Sequence, residues 1–333
     1  MGTEYYIAVD VGATKTRIAL CTRYSVVEKV IYKTPRAGDE YTIANLISST
    51  ARKIWSNFLG RVIRVGVATI GPLDISEGKV VNAPNNPIRN FELLKPLVRD
   101  LRKPVFVVND CVAAAWGEKV FGDASSSENF VYLTLSTGIG AGAVVDGQLL
   151  TGKMGNAHEV GHIVVDFNSD LQCSCGGYGH WEAFAGGGNL PRVAKYTVSK
   201  EKVESELARK VSMGVEIDAE TIFEYYRRGD ALAKRVLDLY VKATAAGLAS
   251  VINTYDPDLV ILGGSVFLKN VDVLYHQITR LIELNVVTGM PSIKPTRFGD
   301  EVGLYGALAV AVNTPVRVLK MQMPLIESVL GKS

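Results

Sequence analysis

A chain of 333 residues is longer than one hydrophobic core usually fills, so two domains are expected. Apolar residues make up 47% and charged residues 21%, and a formal charge of +2 without blocks of like charge predicts neither a nucleic-acid nor a membrane partner. Four cysteines in so long a chain argue against a disulfide scaffold.

The opening MGTEYYIAVDVG has an acid at Glu4 and no basic region before an apolar stretch, so it does not read as an export signal. Tyr6 stands where a myristoylation motif needs Ser or Thr. A cytoplasmic protein is expected. Tyr5 to Val9 reads as a strand ending in Asp10, followed by a Gly/Thr loop and a returning strand, Arg17 to Cys21. Val62 to Ile70 is a second strand, stopped by Gly71-Pro72. Pro104 to Val108 is an apolar strand ending at Asn109-Asp110, then an alanine-rich helix runs to about Lys119. Phe130 to Leu135 repeats the first theme: strand, STGIGAG, and Ala143 to Val145 returning.

Lys200 to Lys210 reads as a solvated helix. From about Asp230 to Asn253, Leu232, Val236, Leu237, Tyr240, Val241, Leu248, Val251 and Ile252 recur at helical spacing. The turn YDPD then leads into a buried strand, LVIL, and Gly263-Gly264. The apolar run around that strand is too short and glycine-broken to span a bilayer. A final helix is expected with Thr314 as N-cap and Pro315 in its first turn. Alternating strands and helices predict an α/β protein, and the repeated strand–glycine loop–strand predicts two related halves.

The chain contains no G-x-x-x-x-G-K-[ST]. Gly138-Ile-Gly140-Ala-Gly142 loosely fits a dinucleotide fingerprint but opens into a strand, where that motif needs a helix. What remains are two strand-to-strand loops, VGATKT and STGIGAG, each with backbone N–H groups and hydroxyls suited to phosphate oxygens. Three of the four histidines and two cysteines fall between His158 and Glu182. HEVGH spells the H-E-x-x-H of zinc peptidases, which need it on one helix. Gly155 and Asn156 before it, Gly161 inside it and the β-branched IVV after it oppose a helix there. Cys173 and Cys175 read as thiolate ligands rather than a bridge.

Taken in order, DVGATKTRIAL, NAPN, VVNDCVAAAWGE, LSTGIGAG, HEVGH, CSCGGYGHWE and DPDLVILGG resemble the successive signatures of the ROK sugar kinases. These are glucokinase-like enzymes of the actin/hexokinase superfamily, and the resemblance covers about residues 5 to 311. It implies a two-domain α/β, ribonuclease H-like fold with an interdomain cleft. The small domain would take residues 1–112 plus 302–333, and the large domain residues 113–301 with a zinc loop. The family also includes repressors with a DNA-binding domain ahead of the first loop. With that loop beginning at Asp10, the kinase branch is expected.

The implied reaction transfers the γ-phosphoryl group of ATP to the C6 hydroxyl of an aldohexose, glucose first. Mannose, fructose and N-acetylhexosamines are the alternatives within that class. On the residues alone Asp110 reads equally as a helix cap or a general base; the resemblance makes it the base. By the same resemblance Gly71, Asn85, Asn109, Asp110, Glu159, His162 and Glu182 bind the sugar. Asp10 would hold Mg²⁺, while Gly12, Thr14, Lys15, Thr137 and Gly138 line the phosphates and Gly263 and Gly264 approach the adenosine.

A structural Zn²⁺ would take His162, Cys173, Cys175 and His180. His180 stands where relatives carry a third cysteine, and imidazole is a normal zinc ligand. Ala13 replaces the second glycine of the first loop, and Val112 occupies a position where relatives often carry Asn. His158 matches nothing in the family pattern and is expected at the surface or behind the site. A homo-oligomer, a dimer first, follows from the family's habit. A peptidase or a non-catalytic sugar-binding regulator are the alternatives of other classes.

Overall fold

The computed structural model describes residues 3–84 and 86–331. The β-branched and aromatic opening run forms β1 (Tyr5–Val11), followed by β2 (Lys15–Cys21), β3 (Val26–Lys33) and β4 (Val62–Thr69). Three short strands, β5 (Leu73–Asp74), β6 (Lys79–Val80) and β7 (Phe91–Glu92), make a small antiparallel sheet. Then comes β8 (Val105–Asn109). The first large sheet has the order β3-β2-β1-β4-β8, with β1, β2 and β3 antiparallel and β1, β4 and β8 parallel. The connections explain the mixture. Short turns join the antiparallel strands, whereas the parallel steps are bridged by segments containing the helices Thr42–Ile54 and Leu94–Leu101.

A second large sheet contains β9 (Phe130–Leu135), β10 (Ile139–Val145), β11 (Gln148–Leu149), β12 (Leu259–Gly263) and β13 (Ser292–Pro295). Its order, β11-β10-β9-β12-β13, repeats that of the first sheet: third, second, first, fourth, fifth. Here β9, β12 and β13 are parallel and β10 and β11 antiparallel. The repeated glycine-loop pattern of the sequence is thus a repeated sheet order, as a ribonuclease H-like duplication requires.

The chain packs as two compact units. The first takes the segment up to Glu128, Gly142–Ala157, and everything from Thr296 on. Its parallel strands are nearly continuous apolar runs, with Ile7, Val9, Val65, Val67 and Val105 to Val108 fully buried. β8 is the last strand of its sheet, where unpaired backbone groups invite foreign strands. Gln322, fully buried, answers this: its amide donates to the carbonyls of Val107 (2.7 Å) and Ile75 (2.8 Å) and its Oε1 accepts from Val107 N–H (2.9 Å).

The second unit holds Asn129–Ala141 and His158–Pro295. Its central helix, Ala231–Tyr255, is N-capped by Asp230, whose carboxylate accepts from Leu232 and Ala233 N–H. Length and composition would let this helix cross a membrane, a possibility that uninterrupted apolar runs did not bring out. Two-thirds of its apolar window (67%) is buried inside the protein, as befits a core helix. The pair Gly299–Val312 and Val316–Leu330 passes the same test only when joined across a 69° bend.

Two helix boundaries differ from expectation. Lys200 ends the helix Leu190–Lys200 instead of starting one, and Glu201 is extended. The next helix, Glu206–Ser212, starts at Ser205, whose hydroxyl accepts from Ala208 N–H (3.1 Å). The last helix is Val316–Leu330 with Pro315 at the N-cap, one residue later than expected. Thr314 bonds back to the Val310 carbonyl (2.9 Å) and so belongs to the end of the preceding helix.

Candidate active site and metal cluster

In the first unit, the loop between β1 and β2 is a tight turn closed by Gly12 N–H on the Lys15 carbonyl (2.9 Å). Thr34, the residue after β3, braces it by donating to the Gly12 carbonyl (2.7 Å), while Thr34 N–H bonds the Thr14 carbonyl (2.9 Å). Thr14 and Lys15 are left exposed at its tip. Asp10 lies within β1 rather than at its end and is 7% exposed. Its cross-strand partner in the register is Arg17, whose guanidinium donates to Oδ2 at 2.8 Å. Burial pushes the Asp10 carboxyl above the usual carboxylate range, and Arg17 opposes that shift. Gly303, in the first turn of the helix Val302–Val312, makes room for this carboxylate. A Cβ there would lie 2.9 Å from it.

β8 ends at Asn109, and Asp110 is the first residue of the helix Asp110–Phe121. The cap is Asn109, whose Oδ1 accepts from Cys111 N–H (2.9 Å) and Val112 N–H (3.3 Å). Capping therefore falls mainly to Asn109, although Asp110 Oδ1 also accepts from Cys111 N–H (2.8 Å). Val112 is buried. Gly71 faces the Asn109 amide, 3.4 Å from where its Cβ would stand. Beside it, Asn156 holds Leu73 by both backbone groups, at 2.7 Å each, a brace the sequence reading overlooked. Asn85 lies outside the described residues.

In the second unit, the loop after β9 is braced by Gly187 N–H on the Ser136 carbonyl (2.8 Å) and Gly188 N–H on the Thr137 carbonyl (3.0 Å). Thr137 is exposed at its tip, with Gly138 beside it. Next to this loop is a cavity of about 520 Å³, lined by Thr137, Gly187, Ser265, Phe223, Arg227 and Asn270 among others. Gly263 ends β12 and Gly264, at φ +91°, turns the chain into the helix Ser265–Lys269. Arg227 is fixed by Asn270 Oδ1 at 2.9 Å and Asp272 at 3.3 Å. Another cavity, of about 410 Å³ in the first unit, is lined by Arg23, Tyr24, Phe121 and Asn313, none of which the sequence singled out.

HEVGH is not an α-helix. Val160–His162 is one turn of 3-10 helix, and the two histidines point to different partners. His158 is buried, contrary to a surface position, with φ +70°. Its Nδ1 lies 2.8 Å from the Tyr255 hydroxyl at the end of the central helix, and the rings meet edge-on. Glu159 precedes the turn, with Oε2 3.9 Å from His162 Nε2. Nearby protein displaces water and raises the Glu159 carboxyl, which His162 opposes and Glu182 reinforces.

His162, Cys173, Cys175 and His180 each offer one ligand atom, all within 4.8 Å of one another. His162 Nδ1 is 4.0 Å from Cys173 Sγ, and His180 Nδ1 is 3.2 Å from Cys175 Sγ. A tetrahedral zinc with S₂N₂ ligation has edges of about 3.3–3.8 Å, so these four fit such an ion with small adjustments. Burial, then the neighbouring His162, lowers the His180 pKa and favours the neutral, ligating imidazole. Next to His180, Trp181 is fully buried against Gly247 of the central helix and anchors the short helix that carries Glu182. The Glu182 carboxylate accepts from Ile139 N–H (2.8 Å) and the Ser174 hydroxyl (3.3 Å).

The sequence profile of the ROK family matches residues 6–314. The chain belongs to the ROK family. The glucokinase of Pyrobaculum calidifontis is 41% identical over 321 residues, covering 96% of this chain and 99% of that protein. The crystal structure of the ROK hexokinase from Thermus thermophilus superposes with a TM-score of 0.78 at 30% identity, covering 92% of this chain and 97% of that one. The ROK glucokinase of Streptomyces griseus, solved with glucose and AMPPNP, gives 0.72 at 28% identity, covering 92% and 99%.

Proposed function

We propose that this ROK protein is an ATP-dependent hexokinase of the glucokinase type. It phosphorylates the C6 hydroxyl of glucose. The observation that carries this is the 41% identity to a glucokinase along 96% of the chain. Both aspartates needed for the reaction, Asp10 and Asp110, stand in their motifs.

Phosphoryl transfer asks for in-line placement, charge neutralisation and a base. Asp110 takes the proton from the C6 hydroxyl as the oxygen attacks the γ-phosphorus. The bond to the β–γ bridging oxygen breaks, ADP leaves, and the proton passes from Asp110 to water. Asn109 caps the helix through its carbonyl oxygen, so its amide group can serve the sugar along with Gly71, Asn85, Glu159, His162 and Glu182. Gly12, Thr14, Lys15, Thr137 and Gly138 receive the phosphates, and the cavity beside Gly263 and Gly264 receives the adenosine. Asp10 would hold Mg²⁺ through water, and the chemistry the ion would supply is neutralisation of charge on the nucleotide it accompanies.

Zinc at His162, Cys173, Cys175 and His180 would be structural, since four protein ligands leave no open position. A cytoplasmic homo-oligomer, a dimer first, completes the reading, and light scattering tests its mass. The decisive experiment measures ADP release with glucose, mannose, fructose and N-acetylglucosamine, with and without Mg²⁺. Glucose-dependent ADP release that falls at least about 100-fold in Asp110→Asn is the expected result. Turnover unchanged in that variant, or no sugar-dependent ADP, overturns the proposal.

A further inference from the structure

Glu182 touches more of its unit than a sugar ligand needs to. Oε2 accepts from the N–H of Ile139, the first residue of β10 and the next after Gly138 (2.8 Å), and Oε1 accepts from the Ser174 hydroxyl between the two cysteines (3.3 Å). A Cβ on Gly138 would stand 2.6 Å from Oε2, and one on Gly161 would stand 3.3 Å from it. Gly161 in turn lies so close to the Ile139 carbonyl that a Cβ would come within 2.5 Å of it. One carboxylate therefore meets the second glycine loop, the E-x-G-H turn and the cysteine loop. Glycine at 138 and 161 is what lets them converge.

We propose that Glu182 is a positioning residue for the nucleotide's phosphate loop as well as a sugar ligand, so that sugar occupancy and nucleotide affinity are coupled through it. This rests on the reading that Gly138 lines the phosphates and Glu182 meets the sugar. Ile139 is 5% exposed, so its N–H depends on the Glu182 side-chain oxygen for a partner that water cannot readily replace. That bond fixes the backbone on which Thr137 and Gly138 present their donors. A sugar hydroxyl donating to the same carboxylate immobilises the side chain and with it the loop, so nucleotide binds to a loop already ordered. The coupling is reciprocal: nucleotide tightens sugar binding by the same factor.

The test is calorimetric titration of Mg²⁺·AMPPNP, with and without glucose, in the wild type, Glu182→Gln, Glu182→Ala and Glu182→Asp, alongside amide hydrogen exchange at Ile139 without ligand. The expected result is that Glu182→Ala weakens sugar-free nucleotide binding about 10-fold, abolishes the tightening by glucose and speeds exchange at Ile139. Glu182→Gln keeps an acceptor for Ile139 N–H, so its nucleotide affinity and Ile139 protection stay near wild type while sugar binding weakens. If the alanine variant does not fold, Glu182→Asp, a methylene too short to reach Ile139, supplies the same contrast with Gln. Nucleotide affinity unchanged in the Ala or Asp variant, or lost equally in Gln, overturns the inference while leaving the kinase reading intact. A wild type that binds no nucleotide overturns both, and Ile139 exchange still reports whether the carboxylate holds the loop.

Discussion

Asp10 and Arg17 face each other across the first hairpin and form an ion pair at 2.8 Å in which the carboxylate is all but buried. The first sheet thus supplies a counter-charge to the residue proposed to meet the metal–nucleotide complex. Arg17→Ala leaves a buried carboxylate without its cation. We expect stability to fall by about 1–3 kcal/mol, read by thermal denaturation. We also expect kcat/KM for Mg²⁺·ATP to fall at least about 10-fold while the glucose KM stays within about 2-fold. Asp10→Ala combined with Arg17→Ala should recover part of the stability, since neither charge is then stranded. A single variant as stable and active as the wild type refutes the pairing's importance.

The metal cluster can be tested without any assay of turnover. Elemental analysis of the purified protein should find about one zinc per chain, falling to near none in Cys173→Ala. His180→Cys should keep the metal, because thiolate and imidazole serve a tetrahedral site equally. Zinc content that ignores Cys173 would remove the ion from this cluster.

His158 and Tyr255 make a latch immediately before Glu159. Removing the hydroxyl by Tyr255→Phe should cost about 1 kcal/mol of stability. Glucose affinity should loosen a few-fold while nucleotide affinity stays put. His158→Gly loses the same bond and the packing of a buried ring, offset only in part by relief of a left-handed backbone that costs an L-residue about 1–2 kcal/mol, so its loss should exceed that of Tyr255→Phe. A His158→Gly variant more stable than Tyr255→Phe would show that the strain at φ +70° outweighs the ring's packing.

Glu118 is fully buried in the helix that Asp110 starts. Its Oε2 accepts from Asp123 N–H (3.2 Å), and the Thr296 hydroxyl bonds Oε1. Burial raises its pKa, with Asp123 adding and Thr296, the Asp123 amide and Arg297 opposing. The folded protein therefore holds this proton more tightly than the unfolded chain. That stabilisation is full below the ordinary glutamate pKa and is lost as pH rises through the elevated folded value. Glu118→Gln, whose amide can donate to Thr296 while its carbonyl keeps the Asp123 N–H, should flatten this dependence. The slope removed is at most about 1.4 kcal/mol per pH unit. Identical denaturation profiles from pH 4 to 8 in both proteins would rule it out.

The strands and the main buried helix were legible because their apolar runs and spacing are local signals. Helix ends were less so. The break between Lys200 and Glu206 depends on Ser205 acting as a cap, and serines in polar stretches are too common to single out. The density of histidines and cysteines between His158 and Glu182 stood out by residue type, whereas the grouping of His162, Cys173, Cys175 and His180 and the roles of Asp10 and Asp110 came from the family resemblance. Arg17 required the register that sets it opposite Asp10, and Tyr255 lies 97 residues from the histidine it holds. For His158 the sequence left two positions open, at the surface or behind the site, and only the fold, which turns it inward, decides for the second. Asn156 and Ser174 work through backbone and carboxylate partners that no short motif encodes.

Gln322 also gives the molecule an order of assembly. The strand leading to Asp110 has its outer rim sealed by an amide made more than two hundred residues later. During synthesis that rim waits bare until the helix Val316–Leu330 has left the ribosome, whereas β9, β12 and β13 can join as soon as β13 has been made. A nascent chain arrested before that helix should be a ready target for chaperones.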